Sequence, residues 1–383
     1  MKRIFNIIAL LIFLSSCDKS PSEQQANNFI KYFGSGYESK GNSVITLPDG
    51  SYVFTGYDKI STSDFQVVAA RINRFGNIIW YTTWGKNQYN EIGKKILPLL
   101  DNEENVTGYL IAGTTQQSGS LYTHSFLMKI DASGSQDSVW YHEFGIANFN
   151  LIINDFTVST DRGTIYIAGE TDQEGSNDYY IARLDANGEN STSRIRGDGA
   201  TSETFNRIFL NASGCPFLVG TKNSQITITE YSQAFTLPLY SVPVNSNINQ
   251  SFHDALYYEN ELIILYNESD NYNIIKLDAS LNPVWQTTLS AAMDGGAMTR
   301  KTDETIMITG VNGTDVSFYL LDDLGSSTNV YSGLEEFKII SGDLNSMNKT
   351  NDKGLIMVGA TPSTYGTMVQ LIKTDRDLYL LKP

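Results

Sequence analysis

The side chains with the most chemistry in this chain are acids and amides that return at a near-regular interval. Glu91, Asn150, Glu203, Asp254, Asp294 and Glu335 each stand near the end of a loop rich in Gly, Asn and Ser. Oxygen donors arranged around a common axis would make a ring able to hold Ca2+ or a basic group, because hard cations take carboxylate and amide oxygens. Glu91, Glu203, Asp254 and Asp294 are the first-choice positions for such a rim site. The competing reading is structural: repeated polar residues bond the backbone of the next loop. Trp84, Tyr89 and Phe149 sit near the same loops and are candidates for stacking on sugar rings; most other aromatics fall on the strand pattern and read as packing. Asp172-Gln173-Glu174-Gly175-Ser176-Asn177-Asp178 gathers further oxygens. It lacks the alternating spacing and distant Glu of a Ca2+ loop, so it reads as a solvated turn.

Other chemistries find little support. The three histidines, His124, His142 and His253, form no H-x-H or H-E-x-x-H pair for zinc or copper. A Ser-His-Asp triad would have to recruit His253 beside Asp254, yet neighbours on a strand point to opposite faces and no G-x-S-x-G elbow supplies the nucleophile. With 42 acids in the chain, a glycosidase-like pair of carboxylates is always available and argues nothing. No Gly-rich phosphate loop opens a helix. No cofactor is expected beyond Ca2+ at the rim.

The elements that must carry these residues are repeated. A turn with Gly or Asp, a short apolar run and a single Gly recur at Asp49–Gly56, Tyr109–Gly113, Thr164–Gly169, Pro216–Gly220, Thr305–Gly310 and Leu355–Gly359; a degenerate copy lies at Glu261–Asn267. A period near 50 residues is that of a propeller blade. The units span 42–85, 92–145, 150–197, 203–245, 252–290, 295–333 and 336–383. Each reads as four short strands rich in Val, Ile, Tyr and Phe, bounded by Asp, Gly, Asn and Ser. The expected fold is an all-β propeller of about seven four-stranded blades, with six or eight open. Phe29–Gly34 looks like one more outgoing strand. It is expected to complete the last blade, a role for which Leu378–Leu381 competes, since a circular repeat must close its ends.

The third strand and its turn recur most clearly, as in Met128-Lys129-Ile130-Asp131-Ala132-Ser133-Gly134 followed by Trp140, and Ile275-Lys276-Leu277-Asp278-Ala279-Ser280 followed by Trp285. Asp can bond N–H groups two residues on, Gly supplies the positive φ, and the Trp is placed to pack between blades. This K-I/L-D-x-x-G-x-x-x-W pattern resembles the repeats of β-propeller lipoproteins of Bacteroidota-type bacteria, over nearly all of residues 29–383. It resembles quinoprotein-like repeats only in the turn and Trp. The resemblance implies the propeller and no particular activity.

The first residues read as a processing signal. Lys2 and Arg3 precede an apolar run, Ile4–Leu14, too short to span a bilayer. Leu14-Ser15-Ser16-Cys17 resembles a bacterial lipobox, which implies a signal peptide over 1–16, lipidation (palmitate) of Cys17, a flexible tether over 17–28 and the propeller over 29–383. The tether would reach up to about 35 Å if extended. Cys215, in an apolar run, is expected to be a buried small hydrophobe. Asp137-Ser138-Val139 resembles the short sites that Bacteroidota-type bacteria O-glycosylate, which makes Ser138 a candidate. The 42 Asp and Glu outnumber the 27 Lys and Arg, for a net charge of −15, and the signal segment holds two of the cations. That balance argues against nucleic acid. The expected protein is membrane-anchored by its lipid at the outer membrane, on the cell surface or the periplasmic face. It is expected to be a non-catalytic binding or scaffold protein for a glycan, peptide or envelope protein. A propeller enzyme using the channel rim and an outer-membrane assembly factor are the alternatives.

Overall fold

The computed structural model describes residues 28–378 apart from 62–63, 136–138, 190–191, 198, 246, 270, 290–293, 303, 313–314 and 332–342. Among the described residues every regular element is a β-strand. After β1 (Phe29–Phe33), the strands come in fours. They are β2 (Ser39–Thr46), β3 (Tyr52–Ser61), β4 (Asp64–Ile72) and β5 (Ile78–Trp84), then β6 (Tyr89–Leu100), β7 (Val106–Gln117), β8 (His124–Asp131) and β9 (Trp140–Phe144). Next are β10 (Leu151–Val158), β11 (Thr164–Thr171), β12 (Asp178–Asp185) and β13 (Thr192–Arg196), and β14 (Glu203–Leu210), β15 (Pro216–Lys222), β16 (Gln225–Tyr231) and β17 (Pro238–Pro243). The chain ends with β18 (Gln250–Tyr258), β19 (Glu261–Glu268), β20 (Asn271–Leu277) and β21 (Pro283–Leu289), with β22 (Asp294–Thr302), β23 (Thr305–Asn312), β24 (Asp315–Asp322) and β25 (Ser327–Tyr331), and with β26 (Asp343–Lys349), β27 (Leu355–Ser363) and β28 (Gly366–Lys373).

The sheets correct the expectation of about seven separate blades. Five four-stranded sheets stand alone, and β2–β9 form one eight-stranded sheet. The join is slight: β4 and β6 run parallel and meet at Phe65 and Asn90. The N-terminal strand closes the ring as expected, β1 lying antiparallel to β28 from Phe29 opposite Lys373 to Phe33 opposite Val369. Leu378, its competitor, is buried against Met357 and Ile372. Residues 379–381 lie outside the described residues.

The first strands of successive units lie side by side around the axis, β26 returning to β2. They carry a β-bulge, a device that adds a residue and turns a strand. The extra residue is Asn42, Lys94, Asn154, Asn206, His253 or Asn345 in six of them. The bulge explains the repeated glycine of the second strand. A Cβ at Gly56, Gly113, Gly169 or Gly220 would fall about 2 Å from the carbonyl oxygen of Lys40, Ile92, Ile152 or Thr204. In the degenerate copy the buried Tyr266 stands at this position, opposite Phe252.

The K-I/L-D-x-x-G-x-x-x-W pattern fastens one unit to the next. Asp131 Oδ1 accepts the Ser133 and Ser135 N–H groups at 2.9 and 3.1 Å, which fixes the turn. A Cβ at the turn residue Gly134 would lie 2.3 Å from the indole of Trp80, which belongs to the preceding unit. Thr82 Oγ1 donates to the Gly134 carbonyl at 2.6 Å. Trp285 repeats the arrangement over Gly325, and its Nε1 donates to Asp323 O at 3.0 Å. Phe29 of the closing strand takes the Trp position over Gly76. The core is therefore a chain of clusters between neighbouring sheets rather than one central mass.

Candidate binding site at the mouth of the central channel

The residue after each bulge reaches into the next unit. Ser43 Oγ accepts the Ile96 N–H at 3.4 Å, Asp155 Oδ2 the Ile208 N–H at 3.0 Å, Asp254 Oδ2 the Met298 N–H at 2.8 Å and Ser346 Oγ the Val44 N–H at 3.1 Å. On β6 and β14, the strands that precede the two aspartates, the corresponding residues are cations. Lys95 Nζ pairs with Asp155, and Arg207 donates twice to Asp254 Oδ1, at 2.8 and 3.0 Å. Four consecutive inner strands thus carry charges alternating in sign. Burial pushes the Lys95 amine below the ordinary lysine range against the pull of Asp155. Burial also disfavours the Arg207 cation, but Asp254 and Asp155 outweigh it and hold its pKa above the ordinary value. The bulge residues add a second link: Asn42, Asn154 and Asn345 donate Nδ2 to the carbonyls of Gly93, Phe205 and Gly41 at 2.8, 3.0 and 2.8 Å.

The rim acids are tied down separately. Glu91 is 2 % exposed and accepts from the Lys86 N–H at 2.6 Å and the Tyr141 hydroxyl at 3.4 Å. Burial pushes its carboxyl above the ordinary value, more than these contacts and the Lys86 charge pull it down. Glu203 is equally buried and pairs with Lys222. Asp254 belongs to the charged belt. Asp294 starts β22 opposite Val311, and its side chain lies outside the described residues, as does Glu335. Among the described residues no three His, Cys, Asp or Glu side chains are grouped to hold a metal ion. Asn150 and Asp172 bond each other, at 2.6 Å between side chains and 2.7 Å from the Asn150 N–H.

Tyr89 and Glu91 meet around Lys86, whose Nζ lies 5.3 Å from the Tyr89 ring centre and 4.6 Å from that of Tyr141. Trp84 packs into the cluster beside Trp80 and Tyr141. Phe149 stands apart, in a short bridge with Ile146. His124 lies 3.3 Å from Glu143, His142 packs on Trp140 and His253 on Tyr272. Cys215 is half-buried at the start of a strand, where its N–H donates to Asn211, rather than fully buried. Cys17 and Ser138 lie outside the described residues.

Sequence reasoning missed a hollow at the channel mouth. A cavity of about 290 Å³ opens between β14 and β18, where the loops before these strands meet. Ser202, Thr204, Asn206, Ser251, Phe252 and Glu170 are among its lining. Glu203 was the legible candidate here, but strand alternation turns it into the sheet and aims its neighbour Thr204 at the hollow. The Thr204 hydroxyl donates to Glu170 Oε2, which also accepts Asn177 Nδ2 at 3.4 Å. Glu170 acts electrostatically on Lys94 of β6, whose amine burial nevertheless pushes below the ordinary range. A larger hollow of about 480 Å³ lies between β9 and β13, over Phe144, Ile146 and Tyr180, with Glu143 and Arg194 at its edge. Its carboxylate is already paired, with Lys86 at 2.7 Å and with His124.

This architecture is that of a β-propeller, and the comparisons agree. A family described as a domain of unknown function (DUF5122), β-propeller, matches residues 163–189, the span of β11, β12 and their turns. Virginiamycin B lyase from Staphylococcus aureus superposes with a TM-score of 0.55 at 8 % identity, over 90 % of this chain and 99 % of that one. Hydrazine synthase from Kuenenia stuttgartiensis gives 0.53 at 11 % identity over 86 % and 94 %. The Dos1 propeller gives 0.51 at 10 % identity over 90 % and 94 %. At such identities the likeness is one of fold. No curated protein matches the chain in sequence.

Proposed function

We propose that the chain is a lipid-anchored envelope protein that binds its partner non-catalytically at the channel mouth. In this reading Cys17 carries the lipid at the outer membrane. The eight-stranded sheet is, in this reading, two blades joined through one ladder pairing, Phe65 and Asn90. The observation that carries the reading is the lining of the mouth hollow: hydroxyls and amides around one carboxylate, groups suited to recognition by hydrogen bond. Acid–base chemistry would call for two differently tuned groups facing one reacting atom. The flank hollow offers Glu143, already held by Lys86 and His124.

The register of β1 orients the body. Phe29, where the tether joins, lies beside Gly76 at the face of the Asp turns, while Phe33 runs towards the opposite face, which bears the mouth. A lipid on the tether would therefore be attached at the face opposite the mouth.

The test uses the Cys17→Ala chain, freed of lipid, added back to washed envelope fragments. Saturable rebinding is expected, abolished by Thr204→Arg, which fills the mouth, and kept by Ser193→Arg on the flank. Absence of rebinding, or loss through the flank variant alone, overturns the reading. Labelled palmitate is expected to enter the wild-type chain and not the Cys17→Ala variant; labelling of both would remove Cys17 as the anchor.

A further inference from the structure

Resting on that reading of the mouth, we infer that the hollow between β14 and β18 binds a small neutral saccharide, such as the terminal sugar of a glycan, and discriminates against acidic sugars. The charge of the lining excludes the other ligand classes. Among the described residues no Lys or Arg lines the hollow, and its one charged side chain is Glu170, so phosphates and other anions meet a carboxylate and no cation. Divalent cations find one carboxylate that already accepts from Thr204 and Asn177. An apolar ligand would strip water from Ser202, Thr204, Thr221, Ser224 and Ser251 without replacing those hydrogen bonds. A polyhydroxylated ring supplies donors and acceptors together and can lay an apolar face on Phe252.

Asn206 supports the assignment independently. It occupies the bulge position at which Asn42, Asn154 and Asn345 each donate to the carbonyl of the following unit. Among the described residues Asn206 makes no such bond, and its Oδ1 is buried without a partner beside the hollow. A buried amide oxygen left unbonded is costly and needs an explanation. A small rotation towards a ligand hydroxyl provides one. The volume, about 290 Å³, is at the lower end for small-molecule sites and fits one sugar ring better than an extended chain.

Glu170 sets the selectivity. Its Oε2 is taken by Thr204 and Asn177, so Oε1 accepts the ligand hydroxyl, and the charge repels the carboxylate of a uronic acid. The experiment is calorimetric titration of the Cys17→Ala chain with a panel of methyl hexosides, N-acetylhexosaminides and methyl uronides, with CaCl2 and inorganic phosphate run as competing ligand classes. At least one neutral glycoside is expected to bind at least tenfold more tightly than its uronide. Glu170→Gln should weaken the neutral ligand about tenfold and erase the discrimination. Asn206→Ala should weaken both alike, with an unchanged melting temperature in each variant. Binding of Ca2+ or phosphate to the mouth in place of every sugar overturns the inference. So does a glycoside affinity that neither variant changes. Envelope rebinding that persists after periodate oxidation of the fragments, with no glycoside competing, removes the saccharide while leaving the mouth as a binding site; failure of rebinding itself removes the mouth.

Discussion

The two arcs of the inner ring solve one packing problem by different means. On β6, β10, β14 and β18 the residues after the bulge are Lys95, Asp155, Arg207 and Asp254, joined charge to charge. On β26 and β2 the same positions are Ser346 and Ser43, each accepting one backbone N–H from the next strand. The geometry is common to both arcs, since aspartate and serine bond the N–H at the same offset past the following bulge. What differs is desolvation. A serine at the axis gives up little hydration, whereas Asp155, 1 % exposed, is tolerable only beside Lys95 and the Ile208 N–H. The charged arc is therefore interdependent and the hydroxyl arc is not. The polar hollow lies over the charged arc, at β14 and β18.

The largest expected effect follows from that interdependence. Asp254→Ala leaves the Arg207 guanidinium and the Met298 N–H without their partner, and should cost about 3–5 kcal/mol in chemical denaturation. Ser346→Ala removes one hydrogen bond and should cost about 1 kcal/mol. Equal losses would show that the belt is not a coupled system. A sharper form keeps the acceptors and removes the charges. The double variant Lys95→Met with Asp155→Asn retains an oxygen for the Ile208 N–H and removes the ion pair of β6 and β10, leaving that of Arg207 and Asp254. It should cost about 1–2 kcal/mol, less than Asp155→Ala alone, because an unpaired buried charge is worse than a neutral substitute. A double variant less stable than Asp155→Ala would assign the stabilisation to the ion pair itself. Because the carboxylate of each pair is buried, raising NaCl to about 1 M should leave the ranking unchanged.

The two arcs also differ in how far the sequence reveals them. The blade period, the closing role of Phe29–Phe33 and the packing of Trp80 and Trp285 between units were legible, because each depends on local pattern: a turn aspartate, a positive-φ glycine and an aromatic at fixed spacing. The repeated Gly56, Gly113, Gly169 and Gly220 were visible, but their cause was not, since the inner-strand bulge that crowds them is a pairing between strands. The continuity of β2–β9 also escaped, because it depends on one ladder pairing between consecutive units. At the site, the loops were found and the side chains were not. Selection by charge led to Glu203, while the face towards the hollow belongs to the uncharged Thr204 and Asn206. Carboxylates stand out in a sequence; a patch of hydroxyls and amides drawn from two units does not. Asp254 was legible as a recurring acid, yet its partner Arg207 lies 47 residues away and becomes apparent only once the strands are side by side.

Glu91 gives the smallest effect and the most specific test of how the belt differs from the rim. Asp254 faces a guanidinium, whereas Glu91 faces mainly an N–H, hydroxyls and the more distant Lys86 charge, and burial wins. Its pKa in the folded chain lies above that of the unfolded chain, so the folded state holds this proton more tightly. The contribution is most favourable at pH below the ordinary carboxylate range and is lost as pH rises through the raised value. Glu91→Gln removes the ionisation while an amide oxygen still accepts the Lys86 N–H. It should stabilise the protein at pH 7 and have little effect near pH 4, read as the difference in unfolding free energy between the two pH values. A variant that is less stable at pH 7 than at pH 4, relative to wild type, would mean that the ionised carboxylate supports the fold, and would restore Glu91 as a charged group held ready at the rim.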